Sequence, residues 1–203
     1  HYLEPWAVCG HDCHYCYARF RGPVSGKLKK LKTVYARPAP LYKPEELLRR
    51  IAAGIKAHDA RVVKLCRYTD ILSAPFVKEG LACEVLSLLA KSPVERIILT
   101  TKGLPDGRIL ALIRNHKAKF SYNAAARPAA DLPLEPNLPP LADRLAAAAE
   151  LSKAGVLTTI HLDPVVAGFD DDALVLRPFL QSLRRLGLLR AMFSYLLLSD
   201  DIL

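Results

Sequence analysis

The feature that most constrains the fold is an alternation of short apolar runs with stretches of helical period. Several runs are continuously apolar, which is typical of parallel strands covered on both faces. The stretches between them carry apolar residues at helical spacing, as in Leu47, Ile51 and Ile55. Strands are expected at residues 3–8, 62–68, 96–101, 119–123, 156–162 and 191–198, with five helices between them. Such alternation predicts right-handed βαβ crossovers and one parallel sheet.

Six strands predict an α/β fold, a partial (βα)6 open barrel with parallel strands, because eight strands would close a full barrel. We expect a single domain over residues 1–203. The fifth helix should begin at Pro178 or at the acidic residues 170–172. Two connections are unusually long, residues 9–43 and the Pro-rich residues 125–139. Both follow carboxyl ends of strands, where such sheets bind ligands, so we expect the functional site there.

Three of the five cysteines, Cys9, Cys13 and Cys16, fall within eight residues at a C-x3-C-x2-C spacing. Such a group in a globular chain without a leader indicates metal ligation rather than disulfides. Three thiolates are one fewer than the four ligands of an ordinary iron–sulfur cluster. A cubane held by this segment would therefore keep one iron open to a further ligand.

A structural zinc site is the alternative, with His11 or His14 as the fourth ligand. Zinc ribbons usually bring two CxxC pairs together, and the sequence has no second pair. Either histidine could instead donate a hydrogen bond to cluster sulfur or lie at the surface. The spacing favours the open-iron cluster.

The net charge of +9 is concentrated in one part of the chain. Seven cations and no acid lie from Arg19 to Arg37, while the remainder has 22 basic and 20 acidic residues. Clustered cations attract polyanions through counterion release, so nucleic acid is the first partner expected. A solvated surface loop is the ordinary alternative. The expected contacts are Lys27, Lys29, Lys30 and Lys32.

The sequence gives no support for secretion or membrane insertion. No apolar run approaches the roughly 20 residues of a bilayer span, and no leader pattern opens the chain. We expect a cytoplasmic location without a membrane partner. Because the chain begins with His1 rather than Met, flanking segments are expected outside it. One Met, one Gln and three Asn are a low count of heat-labile residues, as in a thermophile.

The cysteine triplet, with Tyr15 directly before its last member, resembles the signature of the radical S-adenosylmethionine (SAM) superfamily. The chain is most similar to the spore photoproduct lyase-like group within it. Further motifs that carry this resemblance are Tyr68-Thr69-Asp70, Thr101-Lys102, Ser121-Tyr122-Asn123, Leu134-Glu135-Pro136, Arg144-Leu145-Ala146, Ala154-Gly155 and Asp163-Pro164. The family's C-terminal part, which helps to hold DNA, is expected to lie outside this chain.

The resemblance implies the partial barrel of the family, a 4Fe-4S cluster on Cys9, Cys13 and Cys16, and SAM bound at the open iron. An external donor such as ferredoxin or flavodoxin would supply the electron that cleaves SAM. The resulting 5′-deoxyadenosyl radical would take a hydrogen atom from the substrate. A lyase-like reaction in DNA repair is implied, with DNA favoured over RNA. A protein or small-molecule substrate, or a zinc-stabilised nucleic-acid-binding module without catalysis, are the alternatives.

The resemblance also implies contacts to SAM. Tyr15 would stack beside the adenine, Thr69 and Asp70 would contact the methionyl amino group, Lys102 would face the carboxylate or ribose, and Ser121 and Asn123 would bind ribose and methionine groups. Each of these residues has a structural alternative. Tyr15 could pack over the cysteine loop, Asp70 could cap the next helix, and Lys102 could be solvated. Ser121 and Asn123 could be polar residues that are hydrogen-bonded within the barrel. Glu135 and Arg144 are expected to pair with each other.

Two cysteines lie outside the triplet. The group carries a hydrogen-donating cysteine near the end of the second strand, at a position that Arg67 occupies here. Cys66 is one residue away, and a one-residue slip reverses the side-chain face in a strand. Cys66 is therefore a candidate hydrogen-atom donor, with a small buried hydrophobe as the alternative. Cys83, on an apolar helical stripe, is expected in the core.

Overall fold

The computed structural model describes residues 1–129 and 134–196. Its single sheet has six parallel strands in chain order, and the two outer strands are not paired with each other. The strands are β1 (Tyr2–Leu3), β2 (Val62–Leu65), β3 (Arg96–Thr101), β4 (Phe120–Ala126), β5 (Leu157–Val165) and β6 (Ala191–Tyr195). The open six-stranded α/β fold is confirmed; residues 197 and 198 of the sixth predicted strand lie outside the described residues.

Seven α-helices accompany the sheet in the described part of the chain. They are α1 (Gly22–Leu31), α2 (Pro44–Ala57), α3 (Ala74–Glu79), α4 (Leu81–Lys91), α5 (Gly107–Asn115), α6 (Leu141–Lys153) and α7 (Ala173–Arg185). A 3-10 turn, Tyr17–Phe20, precedes α1. The five predicted helices are α2, α4, α5, α6 and α7. Asp172 caps α7 by accepting from the Leu174 amide at 2.7 Å, so this helix begins at the acidic run and Pro178 lies inside it.

The helices pack against one face of the sheet. Alternate residues of β3 and β4, such as Leu99 and Tyr122, are fully buried in one core cluster with helix residues. On the other face Val62 and Leu157 remain 43% and 38% exposed. The sheet therefore has a covered outer face and an open inner face. No described helix is long and apolar enough to cross a bilayer.

The first strand is shorter than predicted. Its pairing with β2 ends where the Cys66 amide donates to the Leu3 carbonyl at 2.9 Å, because Cys66 has a left-handed backbone (φ 60) that turns the chain away. Residues 5–7 are buried, but they pair antiparallel with residues 39–41 through Ala7 N–Ala39 O (2.9 Å) and Leu41 N–Pro5 O (3.0 Å). These bonds close the base of the long excursion that carries the cysteines.

The basic segment forms a helix rather than a loop. In α1, Val24 is buried and Leu28 packs with it against a small cluster that also contains Tyr35 and Cys16. The cluster holds α1 beside the cysteine loop. Of the four candidate contact lysines, Lys29, Lys30 and Lys32 are exposed and Lys27 is half-buried.

Candidate active site

The cysteine segment is a tight loop above the end of the first strand. Two left-handed residues, Gly10 (φ 74) and Asp12 (φ 57), turn the chain between the first two cysteines. The Cys16 amide then donates to the Cys13 carbonyl at 3.1 Å, which closes a turn between the last two. Cys13 is buried, whereas Cys9 and Cys16 are half-buried. All three thiols therefore belong to one compact loop.

The three thiols influence one another. Burial raises the pKa of Cys13 to about 11, and the neighbouring Cys16 adds to the rise. Burial also raises the pKa of Cys9, followed by the charge of Asp70 and the two other cysteines. Thiolates gathered in this way are unfavourable without a compensating cation, and a bound metal deprotonates its thiol ligands. The donor set therefore fits a thiolate-ligated cluster, although no three His, Cys, Asp or Glu side chains of the described residues converge closely enough to hold one metal ion.

Asp70 connects this loop to the sheet. The residue is 4% exposed, and its carboxylate accepts five hydrogen bonds. The donors are His11 Nε2 (2.9 Å), Leu72 N (2.8 Å), Thr101 Oγ1 (2.7 Å), Lys102 N (2.7 Å) and Gly103 N (3.2 Å). Burial alone would raise the pKa of Asp70, but these donors outweigh it and lower the pKa. Asp70 is thus an ionised side chain that fixes the cysteine loop to the segments following β2 and β3.

Thr69 contacts Glu4, a carboxylate that was not predicted from the sequence to be a site residue. Its hydroxyl donates to Glu4 Oε2 at 2.9 Å, and Glu4 Oε1 accepts from the amides of Tyr68 (2.8 Å) and Arg67. Glu4 therefore holds the turn after β2. The only signal in the sequence was an acid within an apolar run. The predicted contacts of Thr69 and Asp70 to an amino group remain predictions.

The segments after β2 and β3 approach each other at Gly103. A Cβ atom there would lie 2.3 Å from the Leu72 carbonyl oxygen, so no other residue fits without displacement of the backbone. The close approach allows the Gly103 amide to reach the Asp70 carboxylate. A glycine is thus required here for space, not for a positive φ.

Three side chains from distant segments meet at the mouth of the barrel. Lys102 Nζ donates to Tyr15 Oη and to Glu135 Oε1, and the Tyr15 hydroxyl donates to the same carboxylate oxygen. The ammonium also lies 4.7 Å from the centroid of the Tyr15 ring. The side chains of Lys102 and Glu135 are 17% and 13% exposed. We call this set the Tyr15–Lys102–Glu135 cluster.

The charge states in this cluster follow from its contacts. Burial would raise the pKa of Glu135, but Lys102 and the Tyr15 hydroxyl outweigh it and lower the pKa. Burial and the Glu135 charge raise the pKa of Tyr15 well above its ordinary value. Glu135 thus pairs with Lys102 rather than, as predicted, with Arg144. Arg144 instead donates to the carbonyls of Ala125 (2.6 Å) and Pro139 (3.2 Å).

Residues 134–137 lie directly on the cysteine loop. The His14 amide donates to the Leu134 carbonyl at 2.9 Å, and Asn137 Nδ2 donates to the Gly10 carbonyl at 3.2 Å. Together with Glu135 these contacts bring part of the Pro-rich connection onto the loop of the first connection. The sequence predicted both connections to be functional but not that they touch.

Cys66 lies at the same mouth. The prediction for Cys66 assumed that side chains alternate between the two faces of a strand. Cys66 has a left-handed backbone, so this alternation does not apply at its position. The residue is 8% exposed. Burial, followed by the charges of Glu4 and Asp70, raises its pKa well above the ordinary value, and Cys9 contributes as a neighbour. Cys66 is therefore a protonated thiol close to the cysteine loop. Cys83 is half-buried and packs against the core.

Ser121 and Asn123 share the inner face of β4. Both are buried, and Asn123 Nδ2 donates to Thr100 Oγ1 on β3 at 3.1 Å. The inner face is the one that the helices leave open, so these polar groups border the space inside the barrel. Their roles toward a ligand remain predictions.

Solved structures of known proteins share this open parallel barrel. Structures of spore photoproduct lyase are among them. A double mutant with bound AdoMet and dinucleoside spore photoproduct is 16% identical with a TM-score of 0.70, covering 98% of this chain and 57% of its own. The complex with dinucleoside spore photoproduct is 14% identical with a TM-score of 0.68, covering 94% and 55%.

These similarities establish the fold. The chain spans a little over half the length of the solved structures that it matches. No protein-family model and no curated relative matches it. The activity therefore has to be argued from the site.

Proposed function

We propose that this protein is a radical SAM enzyme that reductively cleaves SAM and acts on nucleic acid, as a lyase-like enzyme of DNA repair. The observation that carries the proposal is the position of the three-thiol loop: it follows the first strand of a fold shared with spore photoproduct lyase over nearly the whole chain. Nothing in a generic α/β domain requires three thiols at this point.

Cys9, Cys13 and Cys16 would hold a 4Fe-4S cluster, and the fourth iron would remain open. When bound, the cluster supplies the electron that converts SAM into methionine and a 5′-deoxyadenosyl radical. The chain itself positions the ligand and excludes water. Tyr15 and Lys102 border the loop on one side, and Ser121 and Asn123 border the inner face of the sheet, so these groups would contact SAM.

Cys66 is proposed as the hydrogen-atom donor. A hydrogen atom can leave only from a thiol that still carries its proton, and burial keeps Cys66 in that form at neutral pH. Its location beside the cysteine loop supports the same role. Cys66→Ala should therefore leave cluster content and SAM cleavage unchanged but alter the products formed from the substrate. Unchanged products would contradict this role.

Nucleic acid is the proposed substrate class. The neighbouring structures include complexes with dinucleoside spore photoproduct. Helix α1 adds exposed lysines and is anchored beside Cys16 through Leu28. Cations next to the barrel mouth would attract a phosphate backbone. An external donor, ferredoxin or flavodoxin, would deliver the electron.

The proposal is tested with protein that has been reconstituted with iron and sulfide under anaerobic conditions. Reduced protein given SAM should form 5′-deoxyadenosine, and the yield should rise with DNA that contains spore photoproduct, the group bound in the neighbouring structures. Cys13→Ala should lose most of the iron and the activity, whereas Cys83→Ala, which changes a thiol outside the loop, should keep both. A colourless protein that binds only zinc would overturn the proposal, and 5′-deoxyadenosine formed only with other substrates would overturn the nucleic-acid part.

A further inference from the structure

Lys102 already holds a carboxylate of its own chain. Its ammonium, which is proposed to face the SAM carboxylate or ribose, forms an ion pair with the carboxylate of Glu135. We propose that Glu135 is an internal competitor for the ligand carboxylate at Lys102, so that a ligand carboxylate has to displace Glu135 before it can bind there. This inference rests on the proposed function and concerns the same site.

The burial of the pair explains why only another carboxylate can take the place of Glu135. Lys102 and Glu135 are each more than four-fifths buried, so separating them without replacement leaves a buried cation unpaired. A nucleoside without a carboxylate has nothing to offer in exchange. A ligand with a carboxylate restores both the ion pair and the acceptor for the Tyr15 hydroxyl, which also donates to Glu135.

The exchange is feasible because Glu135 lies on a lightly attached segment. Residues 134–137 belong to no helix or strand. Besides the Tyr15–Lys102–Glu135 cluster, the segment is joined to the cysteine loop by the His14–Leu134 and Asn137–Gly10 hydrogen bonds. Glu135 is either paired with Lys102 or displaced from it. A ligand shifts the protein toward the displaced state only as far as it binds that state more tightly than the paired one.

The first test compares two probes on anaerobic, cluster-loaded protein. S-adenosylhomocysteine carries the amino-acid carboxylate, and 5′-methylthioadenosine lacks it. Glu135→Gln keeps the shape but removes the competing charge, so it should tighten binding of S-adenosylhomocysteine by about 10-fold, as expected for one charge-assisted hydrogen bond. Binding of methylthioadenosine should not change. The matched control is Glu150→Gln, which removes an exposed carboxylate paired with Arg114 at 2.8 Å and should affect neither probe.

The second test needs no catalysis. Hydrogen exchange of the His14 amide reports its bond to the Leu134 carbonyl. S-adenosylhomocysteine should accelerate this exchange in the wild type and methylthioadenosine should not, while Glu135→Gln should accelerate it without ligand. Equal or weaker binding of S-adenosylhomocysteine by Glu135→Gln would overturn the competition. Wild-type protein that binds neither probe would refute the proposed function itself, and the competition at Lys102 with it.

Discussion

The imidazole of His11 and the carboxylate of Asp70 form a buried hydrogen bond, with 2.9 Å between Nε2 and Oδ2. His11 belongs to the cysteine loop, and Asp70 follows β2. The same carboxylate accepts from the Thr101 hydroxyl at the end of β3 and from the Lys102 amide after it. Because Asp70 is ionised, the imidazole nitrogen is the donor. One side chain thus sets the position of the cysteines relative to two strand ends.

Replacing Asp70 with Asn should lower the free energy of unfolding by about 2–4 kcal/mol. The amide removes the charge and directs N–H groups at donors that surround the site, which leaves buried polar groups unpaired. Urea unfolding of the metal-free protein measures the change. The control is Asp143→Asn on the exposed first turn of α6, which should stay within about 0.5 kcal/mol of the wild type. Equal stability of the two variants would contradict the role of Asp70.

Asp70 should also make stability depend on acidity. Burial raises its pKa, the hydrogen bonds lower it, and the net pKa lies below the ordinary 3.8. A carboxylate whose pKa is lower in the folded state stabilises the protein above the unfolded value, and this contribution is lost as the pH falls below about 3.8. The unfolding free energy of the wild type should therefore drop more steeply below pH 4 than that of Asp70→Asn. Parallel curves would show that Asp70 does not titrate with a lowered pKa.

The sheet and most helices could be predicted because apolar periodicity reports burial. A buried residue, however, is not always paired in the sheet. Trp6, Ala7 and Val8 are fully buried, yet they lie beyond the end of β1 because the backbone turns at Cys66. Helix α1 was not predicted because this segment was interpreted only by its positive charge. Its apolar residues Val24, Leu28 and Leu31 follow helical spacing, and that signal would have found it.

The site was predictable only where its chemistry is local. The cysteine spacing is a property of eight adjacent residues, whereas the partners of Lys102 are 33 and 87 positions away in the chain. Glu4 lies 65 positions from Thr69. Contacts at such separations depend on the fold, and a single sequence carries no local signal for them.

The tight approach at Gly103 predicts a large effect of a small change. Gly103→Ala should destabilise the protein by about 2–4 kcal/mol, because the new Cβ would collide with the Leu72 carbonyl and push Gly103 N away from Asp70. Gly107→Ala is the matched control, since nothing lies within 4 Å of its Cβ position. This control should be neutral or slightly stabilising. Thermal unfolding of both variants decides, and a Gly103→Ala variant as stable as the control would disprove the close approach.

Helix α1 should contribute the salt-dependent part of nucleic-acid binding. Changing the three lysines of α1 and its C-cap lysine together to glutamine removes four cations, so the slope of log affinity against log salt for duplex DNA should become shallower by about 3.6. The substituted residues are Lys27, Lys29, Lys30 and Lys32. The matched control neutralises four exposed lysines near the C-terminal ends of other helices, which are Lys56, Lys78, Lys91 and Lys153.

Both quadruple variants lower the net charge by the same amount. A non-specific effect of charge would therefore change the two slopes equally, whereas a binding surface on α1 changes only the first. Fluorescence anisotropy at several salt concentrations measures the slopes. Equal slopes would remove α1 from the interface and leave the proposed substrate without a binding surface in this part of the chain. A difference confined to α1 would put the phosphate backbone beside the cysteine loop, because Leu28 of this helix and Cys16 pack against the same small cluster.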